Sequence, residues 1–133
     1  MNITDQAPTA TAQFRALLEL PVSDLIQLVN QALETPAIAY WVDGARNIKR
    51  GPKDEFGHPN CFEFNLEADG QIYQVNVNTI RDGIQAILSG FANTAHVKGY
   101  ILKAVADQDL SYIDGEALDM IVQAGVFGII TYS

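Results

Sequence analysis

The sequence predicts an α+β fold: a small, mostly antiparallel sheet with helices packed on one face. Three observations carry this. An Asp69-Gly70 pair separates two runs whose apolar residues alternate in register. Three stretches after that hairpin space their apolar residues as helices do. The 133-residue length and 48% apolar content suit one domain with a real core.

Residues 1–8 read as a disordered tail and residues 9–133 as a single domain. Thr9 to Leu18 is weakly helical, with Phe14, Leu17 and Leu18 on one side, and Pro21 interrupts it. Ser23 suits an N-cap, and Leu25, Leu28, Val29, Ala32 and Leu33 follow at helical spacing until Thr35-Pro36. Residues 37–50 fit two patterns. Ile38, Trp41, Val42 and Ala45 match a helix face, while Ile38, Tyr40 and Val42 match one face of a strand. The β-branched and aromatic content, with Gly44, favours a strand or bent strand. Residues 51–60 read as an irregular loop broken by Gly57 and Pro59.

The hairpin spans Cys61 to Val77. Folding about Asp69-Gly70 pairs Leu66 with Tyr73, Phe64 with Val75 and Phe62 with Val77, all on one face. Asn78 or Thr79 then caps a helix striped by Ile80, Ile84, Ile87, Leu88 and Phe91. A second helix runs from about Thr94 to Ala106 with Val97, Tyr100, Ile101, Ala104 and Val105 inward. Asp114 caps a third, with Ala117, Leu118, Ile121 and Val122 inward and Gly125 at its C′ position. Val126 to Tyr132 reads as a short strand returning to the sheet.

Charge narrows the partners. Sixteen acids against eight Lys and Arg leave a net charge of −8, which repels a phosphate backbone, so duplex DNA is not an expected partner. Four of those eight cations, Arg46, Lys49, Arg50 and Lys53, fall in one stretch just after Tyr40-Trp41. Arginine forks suit phosphate oxygens and aromatic faces suit bases. The expected site therefore stacks a small anionic ligand such as a nucleotide on Tyr40 or Trp41 and meets its phosphates with Arg46, Lys49 and Arg50. Tyr100 joins it if its helix faces the same cleft. The competing reading is a solvated strand end with Trp41 in the core and the cations paired with Asp54 and Glu55.

Asp107, Asp109, Asp114, Glu116 and Asp119 form an acidic group that suits a basic protein partner, or simply turns and helix caps. Its EF-hand spacing fails at Tyr112 and Leu118. His58, Cys61 and His96 make a poor zinc set, and Cys61 reads as a buried small hydrophobe. One cysteine excludes an internal disulfide. No nucleophile elbow, triad or phosphate loop appears, so the expected protein is not an enzyme and uses no cofactor. The N-terminus lacks the pattern of a signal peptide, and no apolar run reaches the roughly 20 residues of a membrane span. A cytoplasmic protein is expected, without membrane contact.

Two blocks carry a family resemblance: Tyr40-Trp41 followed by Arg46-Asn47-Ile48-Lys49-Arg50, and Gly99-Tyr100-Ile101-Leu102 leading through Asp107, Asp109, Ile113-Asp114 and Ile121-Val122-Gln123 to Phe127-Gly128. They resemble small uncharacterised proteins encoded in tailed-phage and prophage genomes. The resemblance implies expression in the cytoplasm of an infected bacterium and assigns no catalytic residue. In that setting the expected role is a non-enzymatic accessory protein, with anti-defence activity as one form, that sequesters a nucleotide-like ligand. The alternatives are an acidic inhibitor docking on a basic host protein and a minor virion component. A homo-oligomer is expected, with the site at a subunit interface and the apolar C-terminal strand pairing across a symmetry axis.

Overall fold

In a computed structural model of the chain, three strands, β1 (Gly44–Lys53), β2 (Pro59–Ala68) and β3 (Gln71–Asn76), form an antiparallel sheet in the order β1-β2-β3. Four helices accompany it: α1 (Val22–Glu34), α2 (Val77–Leu88), α3 (Ala95–Asp107) and α4 (Gly115–Phe127). The structure describes residues 12, 18–34, 36–53, 56–57, 59–90 and 94–132. The expected tail and nearly all of the expected helix from Thr9 to Leu18 lie outside them, as do Phe91 and His58. The α+β class predicted from the sequence is the one observed.

The hairpin forms in the register that the alternation demands: Leu66 faces Tyr73, Phe64 faces Val75, Asn65 faces Gln74 and Glu63 faces Asn76. Asp69 (φ 50°) and Gly70 (φ 75°) both take the left-handed conformation, as a type I′ turn requires. The predicted Phe62–Val77 pair does not form, because Val77 is already the first residue of α2. The alternation of β2 also changes phase near its start. Phe64, Leu66 and Ala68 are buried, yet so is Cys61, while Phe62 is exposed. The β1 ladder shifts at the same place, with Arg50 opposite Cys61 and Lys49 opposite Glu63, which is the signature of a bulge.

The loop expected over residues 51–60 is strand at both ends, since β1 continues to Lys53 and β2 begins at Pro59, and Phe56 and Gly57 lie in a turn. Residues 37–43, expected as strand, instead form a 3-10 turn (Pro36–Ile38) and a following turn. Ala39 N–H donates to Pro36 O at 3.0 Å, and Trp41 and Val42 N–H both donate to Ile38 O at 3.2 Å. The i, i+3 spacing of Ile38 and Trp41 therefore governs this stretch, and both side chains are buried.

The N-cap of α2 is Asn76, not Asn78 or Thr79. Its side chain accepts from the Asn78 and Thr79 N–H groups at 2.9 and 3.2 Å, and Thr79 Oγ1 accepts from Asn76 N–H at 3.1 Å, closing a capping box. Asp114 caps α4 as expected, accepting from Ala117 N–H at 2.8 Å. Gly125 is not its C′ residue. The helix runs on to Phe127, and Gly128 (φ 75°) ends it. Gly125 and Gly83 instead let α4 and α2 cross at backbone contact. A Cβ at Gly83 would run into the Ile121 carbonyl, and one at Gly125 into the Thr79 carbonyl.

The predicted C-terminal strand is also replaced. Residues 129–132 are irregular and join no sheet. The core gathers Phe64, Leu66 and Val75 of the sheet with Leu28 and Val29 of α1, Ile80 and Ile87 of α2, and Ile121 and Val122 of α4. Each such side chain contributes roughly 1.5–3 kcal/mol on burial. No helix of the described residues is long and apolar enough to cross a membrane.

Candidate functional site

The basic cluster and the aromatic pair that the sequence placed together are held apart. Arg46, Lys49, Arg50 and Lys53 lie along β1, an edge strand, and all four are exposed. Successive strand residues rise by about 3.3 Å, so the row extends over roughly 20 Å. Two of its members have acidic neighbours on β2. Arg46 pairs with Glu67, and Lys49 Nζ lies 2.8 Å from Glu63 Oε2. The Lys49 ammonium holds the Glu63 carboxyl below its ordinary range. Asn47 (φ 53°) and three register shifts bend the strand. Beyond the bulge, Ser23 and Ile26 of α1 meet Gly51, Lys53, Asn60 and Phe62 around a shallow groove of about 350 Å³. Phe62 is 38% exposed there, beside Lys53. An aromatic face thus does adjoin one of the cations, Lys53, but it belongs to Phe62, whose alternation predicts the same face as Phe64 and Leu66.

Trp41 turns inward, 6% exposed, and Tyr40 stays at the surface while its hydroxyl reaches the same interior site. The centre of that site is Asp119, buried on α4. Its Oδ1 accepts from Trp41 Nε1 at 2.7 Å and from Gln123 Nε2 at 3.0 Å, and its Oδ2 accepts from Tyr40 OH at 2.6 Å. Three donors from two elements satisfy one carboxylate, which is how a buried acid is tolerated. Burial, and then the bond to Asp119, push the Tyr40 phenol up to about 12. Trp41 therefore cannot offer an open stacking face; its indole stacks on Tyr132 with ring centres 5.3 Å apart and planes 7° apart. Phe127 closes on both rings, at 5.6 and 5.9 Å. The stacking role expected of Trp41 is corrected accordingly, and Tyr40's hydroxyl is committed to Asp119.

Asp119 and Gln123 were not singled out by the sequence reading as a buried pair. The one available signal is their i, i+4 spacing inside α4, a helix otherwise apolar from Ala117 to Ala124 and buried there except at the half-buried Met120. In a chain with sixteen acids that signal is faint.

The remaining acids of the C-terminal group are occupied locally. Asp109 accepts from Ser111 N–H at 2.9 Å, Asp114 caps α4, and Glu116 Oε1 lies 3.1 Å from His96 Nε2. A hydrogen bond to Asp107 raises the Tyr112 phenol. Tyr100 is half-buried on α3, edge-on to His96 at 6.1 Å. Because α3 packs against α2, α4 and the 3-10 turn Leu110–Tyr112 while β1 packs along β2, Tyr100 does not share a cleft with the basic strand. Cys61 is buried, and burial pushes its thiol up. Among the described residues no group of His, Cys, Asp and Glu is arranged to hold a metal ion.

No protein-family model, curated protein or solved structure matches the chain. Parts of two separated stretches of sequence, residues 40–41 and 119–127, meet in space. Tyr40-Trp41 from the first and Gln123 and Phe127 from the second form the walls of the Asp119 site.

Proposed function

We propose that this chain is a non-enzymatic binding protein that captures an anionic ligand on β1. Lys49, Arg50 and Lys53 supply charge and Phe62 supplies an aromatic face. One observation carries the reading. Half of the cations in a protein of net charge −8 stand on one exposed strand. A nucleotide matches both parts of this surface, its phosphates meeting the cations and its base stacking on Phe62. Arg46 lies at the far end of the row, engaged with Glu67, and contributes mainly to the long-range field. The same proposal places the protein among phage accessory proteins that act in the host cytoplasm by sequestering a nucleotide signal.

The competing physical account is edge protection. Charges and bulges on an edge strand block its pairing with other chains and need no ligand. Thermal shift with ATP separates the two. Ligand capture predicts stabilisation that weakens with salt and disappears in Lys49→Gln/Lys53→Gln, whose unliganded melting temperature stays close to wild type. Loss of the shift in Phe62→Ala, with inorganic triphosphate unaffected, would assign the base to that ring. No stabilisation by either probe at low salt would leave β1 as a guarded edge and end the proposal.

A further inference from the structure

Residues Ile129–Tyr132 are held in a way that ordinary secondary structure is not. Among the described residues, the last backbone–backbone hydrogen bond of the chain is Gly128 N–H to Ala124 O, at 2.9 Å. Beyond it the segment is irregular, bent at Ile129, and Ile129 is exposed. Side chains of the rest of the fold do the binding. The fully buried Gln123 accepts from both Thr131 and Tyr132 N–H through Oε1, at 2.9 and 2.7 Å. Its Nε2 donates to Tyr132 O at 3.1 Å. The Tyr132 ring enters a slot walled by Trp41 and Phe127. Its hydroxyl donates to Asp69 in the hairpin turn.

These are the components of a peptide-recognition site. A fixed amide reads two consecutive N–H groups and a carbonyl, an aromatic slot takes one anchor side chain, and a carboxylate reads that anchor's hydroxyl. The slot is rigid because Asp119 locks Trp41 and Gln123 from behind. Its present occupant hangs from Gly128, whose left-handed φ of 75° makes a natural pivot.

We propose that this slot is a binding site for a bent, tyrosine-bearing segment of a partner polypeptide, two of whose successive N–H groups converge on one acceptor, and that the chain's own Ile129–Tyr132 strap is its resident ligand. The geometry sets the specificity. The residue before the tyrosine must carry an N–H, which excludes proline. The anchor must be aromatic to stack on Trp41 and must donate a hydroxyl to Asp69. A phosphotyrosine is rejected, because its charge would face the Asp69 carboxylate. The tethered strap competes as though present at roughly millimolar concentration, so partners bind only when the strap lifts or when they exceed that level.

Trp41 is the sole tryptophan and reports the slot directly. In full-length Tyr132→Ala its emission should shift to the red and become accessible to acrylamide. Acetyl-Ile-Ile-Thr-Tyr-amide, added in trans, should reverse both changes saturably, with half-effect near or below about 1 mM. The peptide with phenylalanine in place of tyrosine should bind several-fold more weakly, and the phosphorylated peptide should fail. A variant with wild-type far-UV circular dichroism that no peptide restores would overturn the proposal. If Tyr132→Ala does not fold, hydrogen exchange on the wild-type chain decides. The Thr131 and Tyr132 amides should exchange through a local opening, much faster than the Ile121 amide within α4. Exchange of all three at one common rate would show that the strap is an inseparable part of the core and would equally overturn it.

Discussion

Two polar clusters sit on this small fold, and they differ in how conspicuous they are and in how much they stabilise it. The β1 row announces itself in the sequence, four cations together in an acidic chain. Yet its ion pairs, Arg46–Glu67 and Lys49–Glu63, lie on the surface, where such pairs contribute typically 1 kcal/mol or less. The Asp119 cluster is nearly silent in the sequence, one acid among sixteen. It joins the turn before β1 to α4 and the C-terminal strap through short bonds in a buried site. Removing one partner there strands the others without water, which costs far more than the bond itself contributes. The conspicuous cluster stabilises the fold little, whereas the inconspicuous one holds the architecture.

The largest effect expected is that of Asp119→Ala, which leaves the Trp41 indole, the Tyr40 hydroxyl and the Gln123 amide without their shared acceptor. We expect a loss of about 3 kcal/mol, read as a fall in denaturant midpoint at unchanged m-value. A loss below about 1 kcal/mol would erase the contrast between the clusters.

Tyr132→Phe comes next, removing only the hydroxyl bond to Asp69, and a loss smaller than that of Asp119→Ala is expected from equilibrium unfolding. This change also has a pH signature. The bond to Asp69 first, and burial second, push the Tyr132 phenol up to about 12, and Tyr40 is raised to about 12 as well. A pKa raised in the folded state means that the stabilisation is complete below the unfolded value near 10 and is lost as pH rises through about 12. Stability should therefore fall across that alkaline window in the wild type and fall less steeply in Tyr132→Phe. Parallel curves would show that the phenol does not sense Asp69.

The smallest effect is expected at β1. Lys49→Ala should cost about 0.5 kcal/mol or less at neutral pH. Glu63, held low by Lys49, contributes stability that is present above its ordinary carboxylate range and lost as pH falls through the depressed folded value. Lys49→Ala should accordingly make the acid limb of the stability curve less steep. A loss comparable to that of Asp119→Ala would mean that β1 is structural after all.

What was legible in the sequence follows the same division. The hairpin could be read because its turn residues and its alternation constrain one register independently, and Leu66–Tyr73 and Phe64–Val75 pair as that register requires. The cap at Asp114 and the stripes of α2 and α4 are local signals of the same kind. The burial of Trp41 was legible only as one of two readings, a core residue or a stacking face, and the structure takes the first. The spacings i, i+2 and i, i+3 overlap across Ile38–Val42, and only the distant Asp119 decides between them. The C-terminal segment read as a strand because its residues are apolar and β-branched, but its backbone is satisfied by the Gln123 side chain, a partner no local pattern reveals. Gly125 read as a helix end because glycine usually serves there; here it permits α4 to touch α2, a tertiary need invisible along the chain.

The division of labour between the clusters can be observed residue by residue in an amide NMR titration of the folded chain with ATP. The account predicts that the amides of Lys49, Arg50, Lys53 and Phe62 move in a saturable manner while the single indole Nε1–H, held by Asp119, does not. An indole resonance that moves with ligand while the β1 amides stay still would contradict it and return Trp41 to the ligand site.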